Sequence, residues 1–346
     1  MGLKYLDIWT AKKICGNTEL RRKDMDAYSA KALKETVAYA YGNSNFYREK
    51  YAGYDLEDFE KLPFATPEEL RERGMDFLCV KPGEISRIVT LDTGGSTGKP
   101  KRIYFTEEDQ QLTVDFFKNG MQLMADSSDK ILILMPAKVP GSIGKLLAEG
   151  LRNFGAEAIE YGLPEMSPYR ADEENENEAV KLIELIKSEE ITGVVALPTH
   201  MVMLAQYNES KMMDCRLKWA LLSAEYVAYE ATTKISKVFG CKIYEHYGMT
   251  EMGLGCAVSC GQATGYHVRE SDLYIEIIDP ESGKAVKDGE IGEIVFTTLT
   301  RKGMPFIRYR TGDYSRWIPE ECGCGSMLKR LDKVGPRDVV KGYFKR

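Results

Sequence analysis

The sequence predicts an α/β protein in which parallel α/β layers are followed by a β-rich subdomain. Three observations predict it. Between 106 and 245, short continuous apolar runs alternate with stretches of helical length, the pattern of parallel strands covered on both faces. From about Gly265 onward the helices stop, and strand-like runs alternate with Gly- and Asp-containing turns. At Leu91–Lys101 a loop of three glycines, three hydroxyls and two lysines joins two β-branched runs, Ile88-Val89-Thr90-Leu91 and Ile103-Tyr104-Phe105.

Taken in order, 24–54 reads as helical, because Tyr28, Leu33, Val37 and Tyr41 recur at spacings of four and five among Lys, Glu and Arg. Thr66-Pro67-Glu68-Glu69 starts a short helix with a Thr cap, Pro at the first helical position and acidic residues in the first turn. A helix then runs from 106 to about 124. Strands are expected at 131–135, 156–161, 192–197, 217–222 and 242–245, and helices at 143–153, 178–189, 200–207 and 229–239. The acidic run 172–178 reads as a solvated loop and helix start, not a metal site. Strands at 273–278, 291–296 and 306–310 make up the β-rich part.

The chain's 346 residues suggest about two domains, or one large domain with subdomains. A net charge of −6 argues against a general nucleic-acid binder, which needs a basic face. The first residues are interrupted by charge and form no signal peptide, and no apolar run approaches the roughly 18 residues of a membrane span. The eight cysteines, without a secretory signal, read as cytosolic thiols or metal ligands, so the expectation is a cytoplasmic protein with neither nucleic acid nor membrane as partner.

The Gly-rich loop has the composition of a phosphate cradle: glycines let backbone amides approach an anion, hydroxyls donate, and a lysine adds charge. It departs from the Walker A pattern at Thr93, where a glycine belongs, and at Pro100, where the Mg²⁺-binding hydroxyl belongs. Pro100 also disfavours helical geometry at Lys99. The reading is a strand–loop–strand cradle; the alternative is a solvated hairpin loop. Three further stretches fall where ligands collect in such folds, after the carboxyl ends of strands. They are Ser223-Ala224-Glu225, Glu245-His246-Tyr247-Gly248-Met249-Thr250-Glu251 and Tyr309-Arg310-Thr311-Gly312-Asp313. In isolation Asp313 reads as a turn residue at the end of a strand. His246 borders an acyl pocket or is structural, and His200 is a helix-start residue.

In this order, Thr93–Lys101, Tyr247–Glu251 and Tyr309–Asp313 resemble the core motif series of the adenylate-forming superfamily, which includes acyl-CoA synthetases, peptide-synthetase adenylation domains and luciferases. The Asp279-Pro280-Glu281-Ser282-Gly283 turn, the run Gly292–Leu299 and Met304-Pro305-Phe306-Ile307-Arg308-Tyr309-Arg310 are similar to phenylacetate-CoA ligases and coenzyme F390 synthetases. The resemblance covers roughly 62–338. It implies an acyl-CoA synthetase-like large N-terminal domain whose β-rich part is a distorted barrel, and an AMP-forming acid–thiol ligase using ATP, Mg²⁺ and CoA. It implies further that Ser96, Thr97, Gly98 and Lys99 hold the β- and γ-phosphates, that Glu251 ligates Mg²⁺ and that Thr250 contacts the α-phosphate. Tyr247 and Gly248 with Ser223, Ala224 and Glu225 line the adenine slot, and Asp313 accepts from the ribose hydroxyls. Lys99, Thr250 and Glu251 are the expected catalytic set. The substrate is a small carboxylic acid, aryl or small acyl.

Cys260, His267, Cys322 and Cys324 supply four N and S donors, enough for a closed structural zinc site, against the alternative of buried or free thiols; Cys256 could replace one donor. A similar set recurs in some phenylacetate-ligase relatives. The expected division is an N-terminal helical segment at 1–60, an adenylate-forming core at 61–328 (α/β to about 260, β-rich from about 261), and a hinge-like tail at 329–346. Superfamily members carry a mobile C-terminal lid after such a hinge, and the expectation is that this chain lacks it. Arg337 in the tail would reach the ribose, and Pro336 splits the usual Gly-Arg pair. Three readings of the tail stay open: a truncated form, a protein partner replacing the lid, or slow adenylation by the core. The functional alternatives are a catalytically impaired nucleotide-binding subunit and transfer to a carrier protein; a homodimer is a further candidate assembly.

Overall fold

The computed structural model describes residues 5–91, 99–169, 172–262 and 264–343. Two compact units share the chain. One is built on Thr113–Gly248 and Val258–Tyr266, the other on Leu6–Leu112, Met249–Ala257 and the chain from His267 onward. Ser96, Thr97 and Gly98 of the Gly-rich loop lie outside the described residues.

In the first unit five strands run parallel in the order Glu157–Glu160, Lys130–Leu134, Gly193–Ala196, Trp219–Leu222 and Lys242–Tyr247. The central strands are short and apolar because both faces are covered: on one, Leu132, Val194, Ala196, Ala220 and Leu222 are buried against Leu182, Ile183, Leu204, Ile235 and Phe239 of the helices, and on the other Ile131, Ile133, Val195 and Leu221 are buried as well. One position admits only glycine. A Cβ on Gly193 would lie 2.2 Å from the ring of Trp219 on the neighbouring strand.

The helix Glu173–Ser188 begins earlier than expected. Asp172 caps it, accepting from Asn175 N at 3.0 Å, so the acidic run is the first turns of a helix, where carboxylates meet unsatisfied amides, and not a loop. His200 lies inside the helix Pro198–Ser210, buried, with burial as the main force lowering its pKa.

In the second unit the expected helix 24–54 is two helices, Arg22–Asn43 and Asn45–Lys50. Ser44 is extended between them, and its Oγ accepts from Tyr47 N to start the second. Thr66 and Glu69 form a reciprocal capping box at the head of Pro67–Arg73. The strands Arg87–Leu91 and Lys101–Phe105 pair antiparallel around the Gly-rich loop. Leu273–Ile278, Gly292–Thr298 and Tyr309–Ser315 form a three-stranded antiparallel sheet.

Two expectations shift here. The strand expected at 306–310 begins only at Tyr309, because Arg308 adopts φ +48°. Its guanidinium bonds Glu276 and the carbonyls of Glu60 and Leu62 and lies 4.2 Å from the Phe64 ring centroid. The helices do not stop at 265: Arg337–Tyr343 is helical, held to the sheet by the Tyr314–Gly335 bridge just before it.

Candidate functional site

The two units each bring part of the expected site together. In the first, parallel register sets Leu222 beside Glu245, so the next residues at the carboxyl edge, Ser223 and His246, are neighbours. Ser223 Oγ and His246 Nδ1 are 2.8 Å apart. They stand on the wall of a partly open pocket with about 420 Å³ of empty space, the solvent at its mouth included, whose other walls are apolar, among them Phe116, Phe117, Met121, Leu147 and Val195. The centroids of the Phe116 and Phe117 rings each lie 6.2 Å from that of His246. His246 is on the wall of this pocket. A space like this takes an apolar group and offers it one polar edge.

Ala224, next in the chain, is exposed and adopts φ +70°, a conformation an L side chain rarely takes. Glu225 turns to the start of the helix Pro198–Ser210, where its Oε2 accepts from Thr199 N at 3.1 Å and from Thr199 Oγ1 at 2.6 Å. Tyr247 closes its strand half-buried, and Gly248 follows.

In the second unit Glu251 is 1% exposed. Its Oε1 accepts from Lys101 Nζ at 2.6 Å and from Tyr309 OH at 3.2 Å. Burial, reinforced by the Glu251 charge, raises the Tyr309 phenol far above its ordinary range, so it stays a donor. The main chain of Glu251 is fixed as well. Arg301 Nη1 donates to the Glu251 carbonyl at 2.9 Å and Nη2 to the Tyr104 carbonyl at 2.8 Å, while the guanidinium stacks 4.3 Å from the Phe105 ring centroid. Burial lowers the Arg301 pKa to about 10, which leaves it charged at neutral pH. Arg301 thus ties the strand leaving the Gly-rich loop to the turn carrying Thr250 and Glu251. Thr250 is half-buried in that turn.

Asp313 sits inside the strand Tyr309–Ser315 and not at its end. Val295 pairs with Arg310 and Glu293 with Tyr314, so one residue of the partner strand faces three, Thr311, Gly312 and Asp313, across a bulge. Gly312 supplies φ +78°. Glu293 builds the bulge, its Oε1 accepting from Gly312 N at 3.2 Å and its Oε2 from Arg310 Nε at 3.0 Å, and Thr311 Oγ1 donates to the Ile294 carbonyl at 2.7 Å. Arg337, exposed, begins the last helix with its guanidinium 5.7 Å from the Tyr314 ring centroid. Lys99 is exposed and lines a separate polar cavity.

Also in the second unit, His267, Cys322 and Cys324 present donor atoms within 4.8 Å of one another. Cys324 Sγ lies 3.3 Å from His267 Nε2, and His267 Nδ1 faces the Leu328 carbonyl at 3.3 Å. A carbonyl on Nδ1 leaves Nε2 as the ligating nitrogen, the usual arrangement at a metal-binding histidine. Cys256 is fully buried, and burial pushes its thiol up to about 12, which disfavours the thiolate a metal needs. Cys260 is buried in the first unit.

Sequence reasoning did not single out Lys101, Tyr309, Arg301 and Glu293 as site residues. Lys101 and Tyr309 stand inside the motifs that drew attention; an Arg-Lys pair in a Gly-containing turn, as at Arg301, ordinarily reads as solvated.

The AMP-binding enzyme family pattern matches residues 169–299. The phenylacetate-coenzyme A ligase of Escherichia coli (strain K12) is 28% identical over 340 residues, covering 92% of this chain and 73% of its own length. That of Thermus thermophilus is 28% identical over 330 residues, covering 91% and 71%. Among solved structures, 2-hydroxyisobutyryl-CoA ligase in complex with 2-HIB-AMP and CoA superposes with a TM-score of 0.80 at 23% identity, over 92% of this chain and 69% of that one. The chain is thus similar to AMP-binding enzymes over residues 169–299 and to phenylacetate-coenzyme A ligases over about nine-tenths of its length.

Proposed function

We propose that this chain activates a carboxylic acid with ATP and passes the acyl group to the thiol of CoA. The acid's carboxylate oxygen attacks the α-phosphorus, the bond to the bridging oxygen breaks, and pyrophosphate leaves. The thiol sulfur, losing its proton, then attacks the acyl carbonyl and AMP leaves. The observation that carries this reading is the buried Glu251 carboxylate, fixed by Lys101 and Tyr309 through its side chain and by Arg301 through its main chain. A preorganised charged group of this kind is what a reaction developing charge on phosphate oxygens requires.

Each residue has a role in the proposal. Lys99, with Ser96, Thr97 and Gly98, holds the β- and γ-phosphates, and Thr250 contacts the α-phosphate. Tyr247, Gly248, Ser223, Ala224 and Glu225 border the nucleotide, Asp313 takes the ribose hydroxyls and Arg337 reaches them. An ionised carboxylate is suited to Mg²⁺; Glu251 would hold the ion, which would neutralise charge on the phosphate oxygens. The cavity between Phe116 and Leu147 takes the acid's apolar tail, favouring an aryl or small acyl acid. His267, Cys322 and Cys324 would hold a structural zinc ion; their N and S chemistry suits that metal. No helix among the described residues is long and apolar enough to cross a membrane. Work in the cytoplasm, which keeps thiols reduced, belongs to the same proposal.

ATP–pyrophosphate exchange over a panel of aryl and short acyl acids, followed by thioester detection with CoA, tests the reading. Acid-dependent exchange with CoA thioester formation is the expected result. Tight ATP binding with no exchange for any acid would leave a nucleotide-binding subunit, and exchange without CoA thioester would leave a carrier protein as acceptor.

A further inference from the structure

The strand leaving the Gly-rich loop serves two faces. Successive side chains of a strand point to opposite sides. In Lys101–Phe105, Lys101 turns inward to Glu251 while Arg102 and Tyr104 line a second, open cavity with about 750 Å³ of empty space, bordering solvent included. Arg71, Arg73, Lys99 and Arg102 are on its wall, with Glu72 and Asp76 as the carboxylates.

These charges are unequally spent. Arg73 is engaged by Asp76 and Glu49. Arg71 gives one nitrogen to Glu68, and its buried Nε has no partner among the described residues. Arg102, Lys99 and Glu72 are exposed and make no ion pair among the described residues. Arg102, which has no other role, and the part-spent Arg71 thus share one concave wall with a single unpaired carboxylate, and Lys99, which the proposed reaction gives to the β- and γ-phosphates, stands at the same wall. Like charges that outnumber the free carboxylates in a recess call for an anion, and guanidinium groups match phosphate oxygens in geometry as well as charge.

We infer that this cavity is a second anion site and that it takes a phosphate-bearing group. Two sources fit that chemistry: the pyrophosphate expelled in adenylation, and the phosphates on the nucleotide end of CoA. The choice between these sources rests on the proposed ligase reaction; the anion site does not. It lies on the opposite face of the strand from Glu251, so a phosphate there is held apart from the carboxylate.

Titration calorimetry of the full chain with inorganic pyrophosphate and, separately, adenosine 3′,5′-bisphosphate tests it. Arg102 is exposed, so its substitution leaves the fold intact, which circular dichroism checks. Arg102→Glu should weaken one of the probes at least tenfold and Arg102→Lys less than threefold, while Glu72→Gln should strengthen the same probe several-fold. Raising salt should weaken it as screening grows. The probe that follows these changes identifies the source. If neither Arg102→Glu nor Glu72→Gln moves either probe more than twofold, the site is overturned. Exchange assays on the same preparations separate the two claims. Exchange with unresponsive probes overturns only the second site, whereas responsive probes without exchange overturn the ligase reading and leave the anion site standing.

Discussion

Lys101 Nζ lies 2.6 Å from Glu251 Oε1, with the lysine side chain 17% and the glutamate 1% exposed. The chain therefore brings its own ammonium to the carboxylate that the motif series assigns to a metal ion, across a sequence separation of 150 residues.

Removing one partner strands the other charge. Lys101→Met should cost about 3–5 kcal/mol of stability, because the buried carboxylate loses its counter-ion. The double variant Lys101→Met/Glu251→Gln should recover most of that stability and none of the exchange activity. Thermal melts set beside exchange rates read the two effects apart; a double variant as unstable as the single one would contradict the pairing.

Arg301→Lys keeps a charge but loses the fork that bridges the Glu251 and Tyr104 carbonyls. Each lost charge-assisted hydrogen bond is worth about 1.5–3 kcal/mol. Exchange should slow by at least tenfold at saturating ATP, since the turn carrying Thr250 and Glu251 is no longer tied to the loop strand. A steady-state comparison of kcat and KM checks this, and an effect on KM alone would argue against a positioning role.

Gly120, on the wall of the apolar cavity, has room for a methyl group: a Cβ there meets Val258 at 3.8 Å, an ordinary contact. Because Gly120 is helical, Gly120→Ala should raise stability by about 0.5–1 kcal/mol while raising KM for the bulkier aryl acids. Equal kinetics for small and large acids would show that the cavity is not the acid's.

Alkaline pH should destabilise the fold from about pH 9 upward. Burial pushes the thiols of Cys215 and Cys241 up to about 11 and those of Cys79 and Cys256 up to about 12, from an ordinary 9.0. Between 9 and those values the unfolded chain releases protons that the native chain keeps. Stability is therefore full below pH 9 and falls as pH rises through 11–12, by about 1.4 kcal/mol per pH unit for each such group. Urea midpoints measured at pH 8 and pH 10.5 would show it, and a flat profile would speak against burial of the thiols.

If His267, Cys322 and Cys324 hold zinc, purified protein should contain about one equivalent by elemental analysis. A strong chelator or Cys322→Ser should then lower Tm by several degrees, in line with the roughly 2–4 °C expected per kcal/mol in a larger domain. Metal-free protein with an unchanged melt in chelator would reduce the cluster to buried thiols.

Local patterns carried much of the architecture. Continuous apolar runs such as Ile131-Leu132-Ile133-Leu134 could only be covered strands, and once the parallel order is given, the Ser223–His246 neighbourhood follows from register. What stayed hidden depends on partners far away in the chain. The Asp313 bulge is held by Glu293, and the reach of Lys101 to Glu251 is set by tertiary packing. Arg308 shifted the start of a strand by taking a backbone conformation stabilised by Glu276 and two carbonyls, which no window around residue 308 contains. Ser44 broke a continuous amphipathic pattern because a hydroxyl that caps the next turn competes with helix continuation.

The Trp219 ring that covers Gly193 also gives the first unit an optical signature. The chain has three tryptophans, and the other two, Trp9 and Trp317, belong to the second unit. Replacing those two with phenylalanine would leave an emitter that is 3% exposed and embedded in the parallel sheet. Its blue-shifted fluorescence would follow the melting of that unit alone, turning a packing constraint into a means of asking whether the two units unfold together or in sequence.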